Sequence, residues 1–217
     1  MLNEGAAEAI ITKFWFAAFK LAHSPVDPEP SLREILQRYS EPHRHFHTAS
    51  HVANLLMFIV QEEDDAENIQ ELVMSIIFHD VIYDPKADDN EQQSAHYADS
   101  VLRASQFAET FIRKVHSLIL CTKNHQMIAS NLNCLLLIDA DLSILGAPED
   151  QYDEYAQAIR KEFVHASDSE YATGRIQFLK HMLRGETIFL LPYYESRFGE
   201  QARANLRREI ANLSSGS

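Results

Sequence analysis

The sequence is poor in residues that interrupt helices and in cysteine. Among 217 residues there are only 6 glycines, 7 prolines and 2 cysteines. Scarce glycine and proline favour helical structure. Two cysteines outside any CxxC pair indicate neither a zinc knuckle nor a dithiol redox motif. Cys121 and Cys134 both lie in apolar helical stretches, so we predict buried thiols.

Long apolar runs and excess positive charge are also absent. No stretch reaches the roughly 20 apolar residues that span a bilayer, and Glu4 and Glu8 occupy the start, where a secretory signal would be basic. We therefore expect a cytoplasmic protein without a membrane partner. With 19 basic and 32 acidic residues, the net charge of −13 opposes binding of nucleic-acid polymers. A small anion remains compatible with a pocket whose local charge a metal reverses.

Apolar residues recur at helical spacing along most of the chain. Strand-like alternation does not exceed about four residues, and no fixed-period repeat or internal linker is visible. The predicted helices cover about 5–22, 32–39, 48–61, 66–80, 90–104, 107–123, 132–145, 149–165, 168–184 and 194–213. We expect an all-α fold, a compact multi-helix bundle that forms a single domain over residues 1–217.

Histidine is the residue in excess, with 11 copies, several of them clustered around His47 and His51. His51 lies one turn before Leu55 on the inward face of helix 48–61, and His47 shares that face if the helix begins early enough. Histidines at i and i+4 are a common pair of metal ligands. The competing interpretation is a core histidine bonded to a carbonyl.

Helix 66–80 carries two further inward polar residues at its end. Its expected buried stripe is Ile69, Leu72, Val73, Ile76 and Ile77. Extending the same spacing by seven residues puts His79 and Asp80 on that stripe. A carboxylate in a core is costly unless it is paired or binds a metal. The pair therefore indicates either a metal site or a His and Asp tied to backbone groups.

The apolar stretch LLLIDADLSILG (135–146) contains a third set of candidates, Asp139 and Asp141. Both have apolar neighbours at helical spacing, so periodicity leaves the choice between them open. Together with the histidine and the His-Asp pair above, three helices would supply imidazole and carboxylate to one interior point. Such donors suit Mn, Fe, Co, Ni or Zn, with Mg less at home on imidazole.

The order His … His-Asp … Asp resembles the signature of the HD superfamily of metal-dependent phosphohydrolases, which are all-α. It is most similar to a bacterial branch described as predicted metal-dependent HD phosphohydrolases. The matching stretches are YSEPHRHFHTASHV (39–52), IIFHDVIYDPKADDNEQQSA (76–95) and LIDADLSILG (137–146), with a weaker match at 199–213. One departure is His45-Phe46, where this branch more often shows an aromatic pair or a tyrosine.

This resemblance implies the ligands of one divalent ion. They map to His51, His79, Asp80 and Asp141, the last favoured over Asp139 because the aspartate of the family tends to follow a small residue. The implied activity is hydrolysis of a small phosphorylated molecule such as a nucleotide. A metal with an open position would activate the attacking water.

Four residues are candidates for the reaction itself. Asp80 would orient the water as well as bind the ion, and Arg44 would offset charge on the phosphoryl group. Related enzymes place an acidic general acid or base near Asp84 and Glu91, so either would move protons. The alternatives are a surface role for Arg44 and a helix N-terminal charge role for Glu91.

Substrate contacts are predicted for Arg44, His47, Lys123 and His125. A capping role at a helix C-terminus is the alternative for His125. Two other functions stay open. A dinuclear iron oxygenase of HD type would use His116 and His125 as further ligands, and a non-catalytic nucleotide-binding module would keep the metal as a structural element.

Overall fold

The computed structural model describes residues 2–62, 66–123 and 131–215, and over these ranges every regular element is a helix. The α-helices are Glu4–Leu21 (α1), Glu29–Tyr39 (α2), Ala49–Glu62 (α3), Ala66–Phe78 (α4), Asn90–Ala104 (α5), Glu109–Cys121 (α6), Leu132–Leu142 (α7), Glu149–Glu162 (α8), Asp168–Met182 (α9) and Pro192–Ser215 (α10). A 3-10 helix spans Ser143–Gly146. The prediction of an all-α fold is thus confirmed for the described residues.

Several helix starts differ from those predicted by one to three residues, among them those of α2 and α3. Helix α2 begins at Glu29, ahead of the expected Leu32, because Pro30 lies in the first turn, where its missing N–H costs no hydrogen bond. Helix α3 begins at Ala49, since the Thr48 carbonyl accepts the first helical bonds. His47 therefore precedes the helix and does not share a helical face with His51.

The chain divides into two compact units, and α4 is the most buried helix of the first, Met1–Leu137. It contacts α1, α3, α5 and α6, and all residues from Leu72 to Phe78 are buried. Burial on every side is expected for Leu72–Phe78, because this part of the helix is apolar except for Ser75. The predicted stripe is confirmed from Leu72 onwards, whereas Ile69 is only half-buried.

Other features of the first unit agree with the composition. Trp15 is fully buried, its ring packs against Phe78 with centroids 5.6 Å apart, and its Nε1 donates to the Pro28 carbonyl at 3.0 Å. Cys121 and Cys134 are buried free thiols, as predicted. Among the described residues, no helix combines the length and the apolar character needed to cross a membrane.

The second unit, Ile138–Ser217, is organised around an internal ion pair. Arg175 donates from Nε to Glu209 Oε1 at 2.9 Å and from Nη2 to Oε2 at 3.2 Å, and Tyr152 donates its hydroxyl to the same carboxylate. Arg175 also donates to the Tyr155 hydroxyl at 3.2 Å. Every charged group of this network therefore has a partner. That residues 1–217 form one domain stays a prediction.

Candidate metal centre

His79 and Asp80 follow α4 directly, so the most buried helix of the first unit fixes their position. The His79 N–H donates to the Ser75 carbonyl at 2.8 Å, which continues the helical pattern past Phe78. His51 lies in the first turn of α3. His51 and His79 are 6% and 1% exposed, so the predicted inward orientation is confirmed for both. Rings this deeply buried need polar partners.

The partners of each ring include the other histidine ring and the Asp80 carboxylate. The Nε2 atoms of His51 and His79 are 3.3 Å apart, and Asp80 Oδ2 lies 3.0 Å from the second and 3.9 Å from the first. Neighbouring donors around one ion, each about 2.0–2.2 Å from it, are roughly 3–3.5 Å apart. The two distances from His79 Nε2, 3.3 and 3.0 Å, have the spacing of ligands to a single ion, and the 3.9 Å between His51 Nε2 and Asp80 Oδ2 is longer than this spacing.

A backbone carbonyl sets the protonation of the central ring. His79 Nδ1 lies 2.8 Å from the Ile76 carbonyl, which only accepts hydrogen bonds, so Nδ1 is assigned the proton. In the neutral ring, Nε2 then presents a lone pair to the Asp80 carboxylate. Two acceptors at this distance require either a second proton on His79 or a cation between them. A carbonyl on the far ring nitrogen is also the usual partner of a metal-binding histidine.

The charge balance favours an ionised Asp80. Burial by itself would raise the pKa of this carboxyl, but a protonated His79, through its positive charge and its hydrogen bond, brings the pKa well below its usual range, with smaller effects from the charges of His47 and His51. A metal ion between His79 and Asp80 would supply this positive charge in place of the second proton. The site therefore offers a negative charge beside two nitrogen donors. A His/Asp group of this kind could bind a divalent metal, and its N and O donors fit the transition metals expected from the sequence.

The two aspartates of α7 have different environments. Asp139 is fully buried, and its Oδ1 and Oδ2 accept from the backbone N–H groups of Leu190 and Leu191 at 2.8 and 2.7 Å. Burial raises the pKa of Asp139 to about 6. Asp141, in the same unit, is half-buried and is one of the His and Asp residues that could hold a metal. Both oxygens of Asp139 serve the fold, which favours Asp141 as the predicted ligand.

Because these environments differ, we expect replacement of Asp139 to lower stability and replacement of Asp141 to weaken metal binding. We expect Asp139→Asn to lower the free energy of unfolding by about 1–3 kcal/mol, because the new amide turns a donor toward a backbone N–H. Asp141→Asn is expected to weaken metal binding at least about ten-fold. Urea denaturation and metal competition titrations measure the two effects. Metal binding lost in Asp139→Asn but retained in Asp141→Asn would reverse the assignment.

Arg44 has a different environment from the one predicted. Its side chain is buried, Nε donates to Glu41 at 3.0 Å, and Nη1 and Nη2 donate to the carbonyls of His47, Asp80 and Val81 at 3.1, 2.7 and 3.0 Å. Four of its five N–H groups are thus engaged within the protein. These contacts do not support bidentate binding of a phosphate. We assign Arg44 a positioning role that joins the segment before α3 to the segment after α4.

We expect Arg44→Lys to lower the free energy of unfolding by about 2–4 kcal/mol, because a lysine cannot bond three carbonyls and a carboxylate in this geometry. Metal affinity should fall about ten-fold, since the Asp80 backbone loses its anchor. Urea denaturation and competition with a chromogenic chelator measure these changes. Arg33→Lys is the matched control, because that side chain is 75% exposed. Equal behaviour of the two variants would contradict the positioning role.

His47 lies beside the metal-binding group despite its place outside α3. Its ring stacks on Tyr83 with centroids 4.2 Å apart and meets the His51 ring edge-on at 6.0 Å. Tyr83 was not predicted from the sequence, and its carbonyl lies 2.8 Å from His43 Nε2. The sequence feature that could have identified Tyr83 is an aromatic residue four positions after His79. The predicted substrate contact of His47 stays a prediction.

Three of the remaining predicted residues lie in, next to or in contact with the segment between α4 and α5. Asp84 Oδ1 accepts from the Lys86 N–H at 2.9 Å, as in a turn, and Lys123 Nζ donates to the Asp88 carbonyl at 2.8 Å. Glu91 lies half-buried in the first turn of α5. Asp84 and Lys123 thus have structural contacts in addition to their predicted roles. His125 lies outside the described residues.

Comparisons with known proteins identify no relative of this chain. No protein-family model matches the chain, and no match was found among curated proteins or among solved structures. The similarity to HD phosphohydrolases noted from motifs therefore stays an expectation.

Proposed function

We propose that the protein is a metal-dependent phosphohydrolase for small phosphorylated molecules, with nucleotides as the first class to test. His51, His79, Asp80 and Asp141 would hold one divalent ion. The observation that carries the proposal is the His79 ring, whose Nε2 lone pair lies 3.0 Å from Asp80 Oδ2 while its Nδ1 proton is held by a carbonyl. A cation between these acceptors accounts for the arrangement.

The donor set supports the proposed metal, and the surface charge supports a small substrate. Imidazole nitrogens beside carboxylate oxygens suit Mn, Fe, Co, Ni or Zn better than Mg. The net charge of −13 argues for a small substrate, because a polyanion meets repulsion over the whole surface whereas a small anion meets only the local field.

The residues around the ion would perform distinct tasks. When bound, the ion supplies the Lewis acidity that activates a water and offsets phosphoryl charge. Asp80, held ionised, accepts a hydrogen bond from the attacking water and orients it. His47, positioned by its stack on Tyr83, donates to a phosphoryl oxygen. Glu91 is the candidate for moving protons, because the Asp84 carboxylate already accepts a backbone N–H.

The test is phosphate release from a panel of nucleoside mono-, di- and triphosphates, sugar phosphates and p-nitrophenyl phosphate. The chain is first stripped with a chelator and then reloaded with each candidate metal. We expect turnover of at least one substrate class and at least about a 100-fold lower kcat for Asp80→Asn. Asp150→Asn, at an exposed position, is the control and should match the parent.

Three outcomes would overturn the proposal. They are no turnover with any metal, equal activity of Asp80→Asn and the parent, and two irons per chain with no phosphate release. The last result would favour an HD-type oxygenase. Tight nucleotide binding without turnover would belong to the first outcome and would favour a non-catalytic binding module.

A further inference from the structure

A second cluster of histidine and aspartate lies on the surface of the first unit, on helices α5 and α6. His96 and Asp99 are three residues apart on α5, so they lie on the same helical face. His116 lies on α6, which packs against α5. From the sequence, His116 is a candidate only as a further ligand of a dinuclear iron site, and the proposed hydrolase uses neither His96 nor His116.

The geometry of this cluster parallels that of the candidate metal centre. The rings of His96 and His116 are 5.7 Å apart at 52°, compared with 5.4 Å and 55° for His51 and His79. His116 Nδ1 lies 3.1 Å from Asp99 Oδ2, close to the 3.0 Å between His79 Nε2 and Asp80 Oδ2. Each cluster thus has two tilted imidazoles and a carboxylate in contact with one of them.

The Asp99 carboxylate can also accept a further hydrogen bond or bind a cation. Its Oδ1 is buried and has no hydrogen-bond partner in the described structure, and its side chain is 23% exposed. A carboxylate oxygen in this state is costly unless something positive completes its surroundings. The side chains of His116 and Asp99 are partly open to solvent, so an ion from solution reaches them.

His96, Asp99 and His116 do not converge as tightly as His51, His79 and Asp80, whose donor atoms lie within 3.9 Å of one another. His96 is exposed, however, and exposed side chains change rotamer in nanoseconds at little cost. The site proposed below requires a rotamer change of His96 alone, because His116 and Asp99 are already in contact.

We propose that His96, Asp99 and His116 bind a zinc ion that connects α5 to α6. Two imidazoles and one carboxylate are a usual three-residue donor set for zinc, with water at the fourth position. The ion would bind His116 Nδ1 and Asp99, and the neutral ring would carry its one proton on Nε2. This site is independent of the proposed hydrolase, and zinc binding here stabilises the helix pair without any role in turnover.

The test is the zinc stoichiometry of the full chain, measured with a chromogenic chelator as competitor. His116→Ala is expected to bind one zinc per chain fewer than the parent, whether or not the candidate metal centre also binds zinc. His181→Ala, an exposed histidine on α9, should bind as many as the parent. Circular dichroism verifies that each variant is folded. Equal zinc content of His116→Ala and the parent overturns the proposal.

Affinity and heat stability provide a second measurement. His96→Ala is expected to weaken this zinc at least about ten-fold, and zinc at 100 times the Kd should raise the Tm of the parent more than that of His116→Ala by about 5–10 °C. An unchanged affinity in His96→Ala overturns the three-residue site, because the ion would then be held by other groups. Equal Tm shifts in the parent and His116→Ala overturn it as well.

Discussion

Replacing His79 with alanine is expected to remove the divalent ion of the candidate metal centre. The ring contributes the Nε2 donor that lies within 3.3 Å of both His51 Nε2 and Asp80 Oδ2. With one donor gone, we expect metal affinity to fall at least about 100-fold, which exceeds the usual effect of losing a partner that only orients a ligand. Elemental analysis after dialysis against the metal measures the loss.

Heat stability distinguishes a metal ligand from an ordinary core histidine. If His79 binds the ion, adding metal after chelation should raise the Tm of the parent more than that of His79→Ala, because only the parent gains binding energy at this site. At 100 times the Kd this gain is about 2.7 kcal/mol. His45→Ala is the control, since that histidine is exposed. A similar metal-induced rise in His79→Ala would contradict the assignment.

Replacing Glu209 with alanine is expected to cause the largest loss of stability in the second unit. Its carboxylate pairs with both Nε and Nη2 of Arg175 and accepts the Tyr152 hydroxyl. The Arg175 and Glu209 side chains are only 7% and 10% exposed. Removing the carboxylate leaves a buried guanidinium uncompensated, which typically costs about 3–5 kcal/mol. Urea denaturation monitored by circular dichroism measures the difference.

Two controls make this prediction specific. Glu200→Ala removes an exposed carboxylate from the same helix and should change stability by no more than about 0.5 kcal/mol. The double replacement of Arg175 with Met and Glu209 with Leu removes both charges, so most of the lost stability should return. Equal stability of Glu209→Ala and Glu200→Ala would show that the pair contributes little to the fold.

The sequence was most informative where local periodicity decides the structure. The seven-residue spacing of helix α4 predicted that His79 and Asp80 point inward, and His79 is indeed 1% exposed while Asp80 is half-buried. The scarcity of helix breakers predicted the all-α fold. Both results depend on neighbours within a few turns, which is the range over which side-chain patterns carry information.

The sequence was least informative where distant backbone groups select the role of a side chain. Arg44 was predicted to meet a phosphate, yet it donates to carbonyls 36 and 37 residues away. Asp139 and Asp141 could not be separated by spacing, because the amides that engage Asp139 come from 51 and 52 residues along the chain. Nearly every residue has the same backbone carbonyl and amide, so side-chain patterns do not predict which of these groups a side chain will contact. Only the folded structure identifies these contacts.

The carbonyl that orients His79 has a further electrostatic consequence. Ile76 lies in the last turn of α4, so its carbonyl belongs to the negative end of the helix macrodipole. This negative end of the helix lies next to His79 and Asp80, so it favours a cation there independently of the bonds to the ligands. Because α4 is buried along this turn, dissolved salt screens its field weakly. The attraction should therefore persist at ionic strengths that weaken the more exposed cluster of His96, Asp99 and His116.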